Sequence, residues 1–339
     1  MPDVFTIYNC GTAHNRQNLD ETIADLARRT AGAENRDWMI NDGPGSWSKK
    51  PHSPNSMYQR GLAAQAKTPG GTLAMPLGII DGKGWEANVA HAMAVLNATL
   101  DLPRVINMAG WSRGAITCFM LAHALNENPR TRPIAVHIFA FDPVPGPGNL
   151  HDPDKVTLPA NVKRYAAIVE QDERRKIMRP VLIGPDETAG VRSKFYYMPG
   201  CHTTPVFRTA NEVGLIGAFL AHKFLQKHGT RLSSAIQLNG RDLCELYAKI
   251  RIDMARYRGQ HGGILQVLGR YTRNVANPFG AGDYFVNEHH AQQFRKTFPQ
   301  VWAAMDGGTR AAINSAIGQL RSMAPTTYLS LEKMGILAA

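Results

Sequence analysis

Cysteine is scarce in this chain of 339 residues, which contains only Cys10, Cys118, Cys201 and Cys244. The four are widely scattered and none belongs to a C-x-x-C pair, which excludes a disulfide framework and zinc-finger spacing. We therefore expect reduced thiols.

Long apolar runs are also missing. No window approaches the roughly 18 uncharged apolar residues that a transmembrane helix requires. The N-terminus shows no positive segment followed by an apolar helix, so no secretory signal is visible. We expect the protein to be made in the cytoplasm, and any export would need a signal-independent route.

Acidic residues are fewer than basic residues. The chain has 27 Asp and Glu and 38 Lys and Arg, which gives a formal charge of +11. This surplus of positive charge favours an acidic partner, either nucleic acid or an anionic lipid surface. Alternatively, the basic residues simply form a solvated surface. RNA-binding aromatic signatures and basic heptads are absent, so we expect no nucleic-acid partner. Residues 81–84 lack the G-K-[ST] ending of a phosphate loop. We predict no cofactor and no metal.

The most informative stretch is 104–125, which reads RVINMAGWSRGAITCFMLAHAL. Residues 110–114 match G-x-S-x-G, a pattern that predicts a nucleophile elbow when it lies between a strand and a helix. A charge-free run over 105–109 predicts the strand, and helical periodicity from Ala115 to Asn128 predicts the helix. Both glycines are expected to be required because a Cβ would clash there. Ser112 is the candidate nucleophile.

Strands and helices alternate over the first two thirds of the chain, which predicts a mostly parallel sheet covered by helices, an α/β fold. We assign residues 1–228 to this core, with a loop or lid insertion over 47–71. The predicted strands are 4–8, 105–109, 134–141, 162–169 and 195–198, and the predicted helices are 19–29, 85–100, 115–127 and 211–226.

Residues 229–339 have a different sequence pattern from the core. Helical stretches with several cationic positions are predicted over 235–257 and 288–305, on either side of a Gly-rich break. We expect a helical C-terminal appendage that caps the active site, faces a membrane, docks a partner or serves as scaffold.

A serine nucleophile needs a base, and the base needs an orienting acid. His202 lies just past a predicted strand end and is the candidate base. Asp142 and Asp172 follow two successive strands and compete as the acid. We favour Asp142, because Asp172 is crowded by Glu173, Arg174 and Arg175, and we keep Asp172 as the alternative. The order serine, acid, histidine is that of α/β-hydrolases.

An oxyanion hole would complete the site. We expect the backbone N–H of Arg113, the residue after the nucleophile, together with that of Gly11 or Thr12 in the turn after the first strand. This set predicts acyl transfer with water as the final acceptor.

The residues Gly110 to Ala115 resemble the G-[FW]-S-R-G-A elbow of a bacterial α/β-hydrolase family that includes the type VI secretion lipase effectors, the Tle group. The likeness covers about residues 4–225, and Cys10 stands where that family usually has Asp. Further segments agree in order: Gly11-Thr12 with Asn15 (D-G-T-x-N), Gly43 to Ser46 (the glycine turn after the second strand), Asp142 to Val144 (D-T-V), Asp172 to Arg175 (D-E-x-R) and Gly200 to His202 (G-x-H).

The resemblance implies an esterase or phospholipase that is delivered into a competitor's periplasm and attacks membrane phospholipids. It also implies a secretion-apparatus partner and an immunity protein in the producing cell. Two other hypotheses stay open: a non-lipolytic esterase, thioesterase or peptidase on the same scaffold, and an inactive hydrolase fold that serves as a binding module.

Overall fold

The computed structural model describes residues 2–46, 84–146, 148–170, 173, 178–181, 183, 190–198 and 200–238, together with 246, 273–276 and 283–286. The insertion predicted over 47–71, the alternative acid Asp172 and the helix predicted over 288–305 lie outside these residues.

Six strands in these described ranges form a parallel sheet at the centre of the core. Across the sheet the strands follow the order β2-β1-β3-β4-β5-β6. Their bounds are β1 Val4–Asn9, β2 Trp38–Asn41, β3 Val105–Trp111, β4 Ala135–Phe141, β5 Val162–Glu170 and β6 Arg192–Met198.

Helices cover both faces of the sheet, with α1 and α5 on one face and α2 and α3 on the other. The protein is therefore an α/β protein, as predicted. The helices are α1 Thr22–Arg29, α2 Trp85–Asn97, α3 Arg113–Glu127, the short α4 Pro153–Val156 and α5 Glu212–Lys227, and a 3₁₀ turn spans Thr204–Val206.

Two apolar cores follow from the alternation of side chains along each strand. In β1, Phe5 and Ile7 join the core beneath α2 and α3, whereas Tyr8 joins the core beneath α1 and α5. A strand covered on both faces must be apolar on both, which explains the charge-free runs in the sequence.

The predicted strands and helices of the core are all present, with ends displaced by three residues at most. The short strand β2 has no predicted bounds, because four residues are too few to show a period. It ends at Asn41, two residues before the glycine turn at Gly43.

Few residues of the predicted helical C-terminal region are described, and one of them, Leu246, is helical. Residues 235–238 are not helical. Two strands, β7 Arg273–Ala276 and β8 Asp283–Val286, form an antiparallel pair. Among the helices that the structure describes, none is both long and apolar enough to cross a bilayer.

Candidate active site

Ser112 occupies a sharp bend between a strand and a helix. Strand β3 ends at Trp111 and α3 begins at Arg113, so Ser112 alone joins them. Its backbone has φ 56° and ψ −124°, a conformation that residues other than glycine rarely adopt. The Ser112 N–H donates to the Phe141 carbonyl at 2.9 Å, which ties the bend to the end of β4. The elbow predicted from the sequence is therefore present.

The two glycines of the elbow are required by close backbone contacts. A Cβ at Gly110 would lie 2.5 Å from the Gly114 carbonyl oxygen, and a Cβ at Gly114 would lie 2.2 Å from that of Asn9. Neither neighbour is a flexible side chain that could move aside. The predicted clash with the helix on one side and with the neighbouring strand on the other is confirmed.

His202 reaches Ser112 from a loop that follows β6. Its Nε2 lies 2.7 Å from Ser112 Oγ, and its Nδ1 lies 2.5 Å from Asp142 Oδ2. The three residues are 4%, 1% and 0% exposed, respectively. With Nδ1 donating to the carboxylate, Nε2 is the unprotonated nitrogen and can accept the hydroxyl proton.

Asp142 is fixed from several directions at the end of β4. Its Oδ1 accepts from the Glu170 N–H at 3.1 Å, and its own N–H donates to the Ile168 carbonyl at 2.8 Å. Both partners lie on the neighbouring strand β5. The carboxylate therefore faces His202 in a defined orientation. Of the two acids considered from the sequence, Asp142 is the one that the structure describes in contact with His202.

Two further residues hold the loop of His202, and sequence reasoning gave neither of them this role. Glu173 accepts from the His202 N–H at 3.2 Å, and Trp111 Nε1 donates to the His202 carbonyl at 3.1 Å. The Trp111 ring also lies against the imidazole, with ring centroids 5.6 Å apart. Both belong to segments already singled out, the elbow and the D-E-x-R segment.

Only one of the three amide groups considered for the oxyanion hole donates a hydrogen bond within the described part of the chain. The N–H of Gly11 donates to Glu21 Oε1 at 3.1 Å, so of the two alternatives Gly11 and Thr12 the structure favours Thr12. Within the described ranges, the N–H groups of Thr12 and Arg113 donate to no acceptor. Arg113 is the first residue of α3, where backbone N–H groups have no partner within the helix.

Burial controls the ionisation of the groups beneath the turn after β1. It raises the pKa of the Glu21 carboxyl to about 8. The pKa of the Cys10 thiol is also well above its ordinary value, because of burial and the nearby charges of Glu21 and Asp42. Cys10 therefore stays a thiol at neutral pH, and Glu21 is the acidic group that contacts this turn.

The fold and the site together define an α/β protein with a serine, histidine and aspartate joined by hydrogen bonds at the carboxyl edge of a parallel sheet. No group of three His, Cys, Asp or Glu side chains among the described residues is arranged to hold a metal ion.

Comparisons with known proteins add little to this description. No family model and no curated protein matches the chain. A solved structure of an uncharacterized protein from Pseudomonas aeruginosa is 14% identical with a TM-score of 0.47; the similarity covers 99% of this chain and 66% of that one. The Vlm2 thioesterase domain is 13% identical with a TM-score of 0.33, over 67% of this chain and 94% of that one. Neither similarity identifies a function for this chain.

Proposed function

We propose that the chain is a serine hydrolase of the α/β-hydrolase fold that cleaves carboxylic esters, with Ser112 as nucleophile. The observation that carries this proposal is the 2.7 Å contact between Ser112 Oγ and His202 Nε2, with Asp142 on the other ring nitrogen. A hydroxyl, an imidazole and a carboxylate in this sequence of contacts are the parts that serine acyl transfer requires.

Each group has a defined role in the proposed reaction. His202 Nε2 takes the proton of Ser112 as Oγ attacks the ester carbonyl, and it then protonates the leaving alcohol. Asp142 holds the imidazole in the required tautomer. The N–H groups of Arg113 and Thr12 bind the oxyanion of the tetrahedral intermediate. Water then attacks the acyl-serine as His202 takes its proton, and His202 returns this proton to Ser112 Oγ when the ester bond to serine breaks and the carboxylic acid is released.

An active-site fluorophosphonate probe tests the nucleophile. We expect covalent labelling of the wild-type protein and none of Ser112→Ala. Ser233→Ala is a matched control, because Ser233 is an exposed serine outside the site, and its labelling should equal that of wild type. Absence of labelling in a folded wild-type sample would contradict the proposal and favour a binding module.

We propose further that the esters are those of membrane phospholipids. The support is the resemblance of the elbow and the D-E-x-R segment to the lipase effectors, together with a net charge of +11 that suits an anionic surface. Release of fatty acid from anionic phospholipid vesicles, compared with hydrolysis of a soluble short-chain ester and a thioester, tests it. Hydrolysis of the soluble esters alone would leave a serine esterase and remove the phospholipid substrate.

The resemblance is also the support for a role as an antibacterial effector that depends on a secretion apparatus and is neutralised by an immunity protein. Expression directed to the bacterial periplasm tests this role. Wild-type protein should stop growth, and Ser112→Ala should not. Equal growth with both would contradict the role.

A further inference from the structure

The side chain of Arg113 is a buried cation, and none of the described carboxylates forms an ion pair with it. It is 1% exposed, and burial lowers its pKa to about 10. Nη1 donates to Thr12 Oγ1 at 3.3 Å, but Nε and Nη2 have no hydrogen-bond partner. No carboxylate in the described part of the chain pairs with it. The neighbouring buried arginine, Arg16, differs in this respect, since it pairs with Asp42 and Glu34.

Two loops at the carboxyl edge of the sheet flank this guanidinium. Thr12 lies in the loop after β1, and Gly146 lies in the loop after β4. Gly146 has φ 79°, and a Cβ there would lie 2.5 Å from Nη2, so the loop rests directly on the guanidinium. Strands β1 and β3 are the neighbours at which the strand order reverses. In open parallel sheets, ligands bind in the crevice at this reversal.

A buried charge that lacks a partner is costly, by several kcal/mol after relaxation. Among the residues that the structure describes, no carboxylate compensates the charge of Arg113, whereas two of them pair with Arg16. A guanidinium presents its donors in a planar fork that matches phosphate or carboxylate oxygens. The free donors are therefore suited to an anion that arrives with the substrate.

We propose that the Arg113 side chain is a specificity-determining group that binds an anionic phosphate or carboxylate carried by the ester cleaved at Ser112. This inference rests on the proposed ester hydrolysis. A neutral ester would leave Nε and Nη2 of Arg113 without an acceptor.

Melting temperatures in inorganic phosphate test the anion site without any turnover. We expect phosphate, compared with chloride at equal ionic strength, to raise the melting temperature of wild type and of Ser112→Ala. It should not raise that of Arg113→Met. Arg28→Met is the matched control, because it removes an exposed cation on α1, and its response should equal that of wild type. Without phosphate, Arg113→Met should melt no lower than wild type, since it removes an unpaired buried charge.

Two results would overturn the anion site: no phosphate response in wild type, or an equal response in Arg113→Met. If Arg113→Met does not fold, Arg113→Gln replaces it, because Gln is also neutral.

Two pairs of esters test the link to substrate and distinguish the two anions. Mono-4-nitrophenyl succinate is compared with 4-nitrophenyl butyrate, and 1-acylglycerol 3-phosphate with 1-acylglycerol. We expect kcat/KM to be about 10- to 100-fold higher for the anionic member of at least one pair, because this is the effect of one hydrogen bond to a charged group. Arg113→Met should remove most of that ratio, and Arg28→Met should preserve it.

The failures of the two proposals are distinguishable. Cleavage of both members of each pair at equal rates would overturn the inference and leave the serine hydrolase in place. If none of the four esters is cleaved while phosphate still stabilises the protein through Arg113, the proposed function is wrong. The proposed role of Arg113 in substrate binding is then wrong as well.

Discussion

Two residues of the site have strained backbone conformations. Ser112 has φ 56° and Asp142 has φ 42°, and neither is glycine. Such conformations cost about 1–3 kcal/mol each and persist only where surrounding contacts fix them. Here the N–H of each residue donates to the carbonyl of a neighbouring strand, Phe141 for Ser112 and Ile168 for Asp142. The strain is thus compensated by the sheet, and both side chains meet His202.

Replacement of Asp142 by Asn tests its role as the orienting acid. The amide of Asn can donate to Nδ1 and thereby favours the wrong imidazole tautomer, so kcat should fall by about 10⁴-fold while the melting temperature changes little. The measurement is steady-state hydrolysis of a soluble ester. Asp172→Asn is the comparison, and it should retain most of the activity. Loss of activity in Asp172→Asn together with retained activity in Asp142→Asn would show that Asp172 is the orienting acid.

Glu21 predicts a pH dependence of stability. Its pKa is about 8 in the folded protein against an ordinary 4.5, so between these values the folded state holds a proton that the unfolded state has released. The free energy of unfolding therefore falls as pH rises through this window. Glu21→Gln lacks this effect and should gain stability relative to wild type with rising pH.

Urea unfolding at several pH values between about 5 and 9 measures the effect of Glu21→Gln. Glu127→Gln, an exposed position on α3, is the control and should follow wild type. Parallel stability curves for Glu21→Gln and wild type would show that Glu21 ionises normally in the folded protein.

At the scale of elements, the parallel sheet brings the residues of the site together at one edge. The loops after β1, β3, β4 and β6 leave the same edge because the strands are parallel, and they carry Thr12, Ser112, Asp142 and His202, respectively. The elbow depends on close approach of α3 to β1, which Gly114 permits.

Gly114→Ala should destabilise the protein by about 1–3 kcal/mol, because its Cβ would meet the backbone of Asn9 and Cys10 and force β1 and α3 apart. It should also lower ester turnover, since Thr12 and Ser112 separate. Chemical unfolding and ester turnover of the variant measure both effects.

Gly148→Ala is the control for the Gly114 variant. Gly148 has φ 83° with open space around it, so alanine there adds only the conformational cost, about 1–2 kcal/mol, and should preserve turnover. Full activity in Gly114→Ala would contradict the claim that catalysis requires the close approach of α3 to β1.

At the scale of the whole molecule, the charge of +11 predicts salt-dependent attraction to anionic surfaces. The Debye length shrinks from about 10 Å at 0.1 M salt to about 3 Å at 1 M. Cosedimentation of Ser112→Ala with anionic vesicles should therefore fall as salt rises, and neutral phosphatidylcholine vesicles should bind less at low salt. Equal binding to both kinds of vesicle at every salt concentration would exclude an electrostatic attraction.

The sequence by itself determined the core elements and named Ser112, Asp142 and His202, because apolar periodicity, the G-x-S-x-G pattern and positions just past strand ends are local signals. Sequence reasoning also favoured Asp142 on its lack of adjacent cations, which is again local.

Only the tertiary structure decided which groups meet. The hydrogen bond from the Gly11 N–H to Glu21, the bonds of His202 to Glu173 and Trp111, and the burial of the Arg113 guanidinium all depend on packing between separate elements. Such contacts depend on distances across the sheet edge and on the desolvation that packing imposes, neither of which a pattern along the chain records.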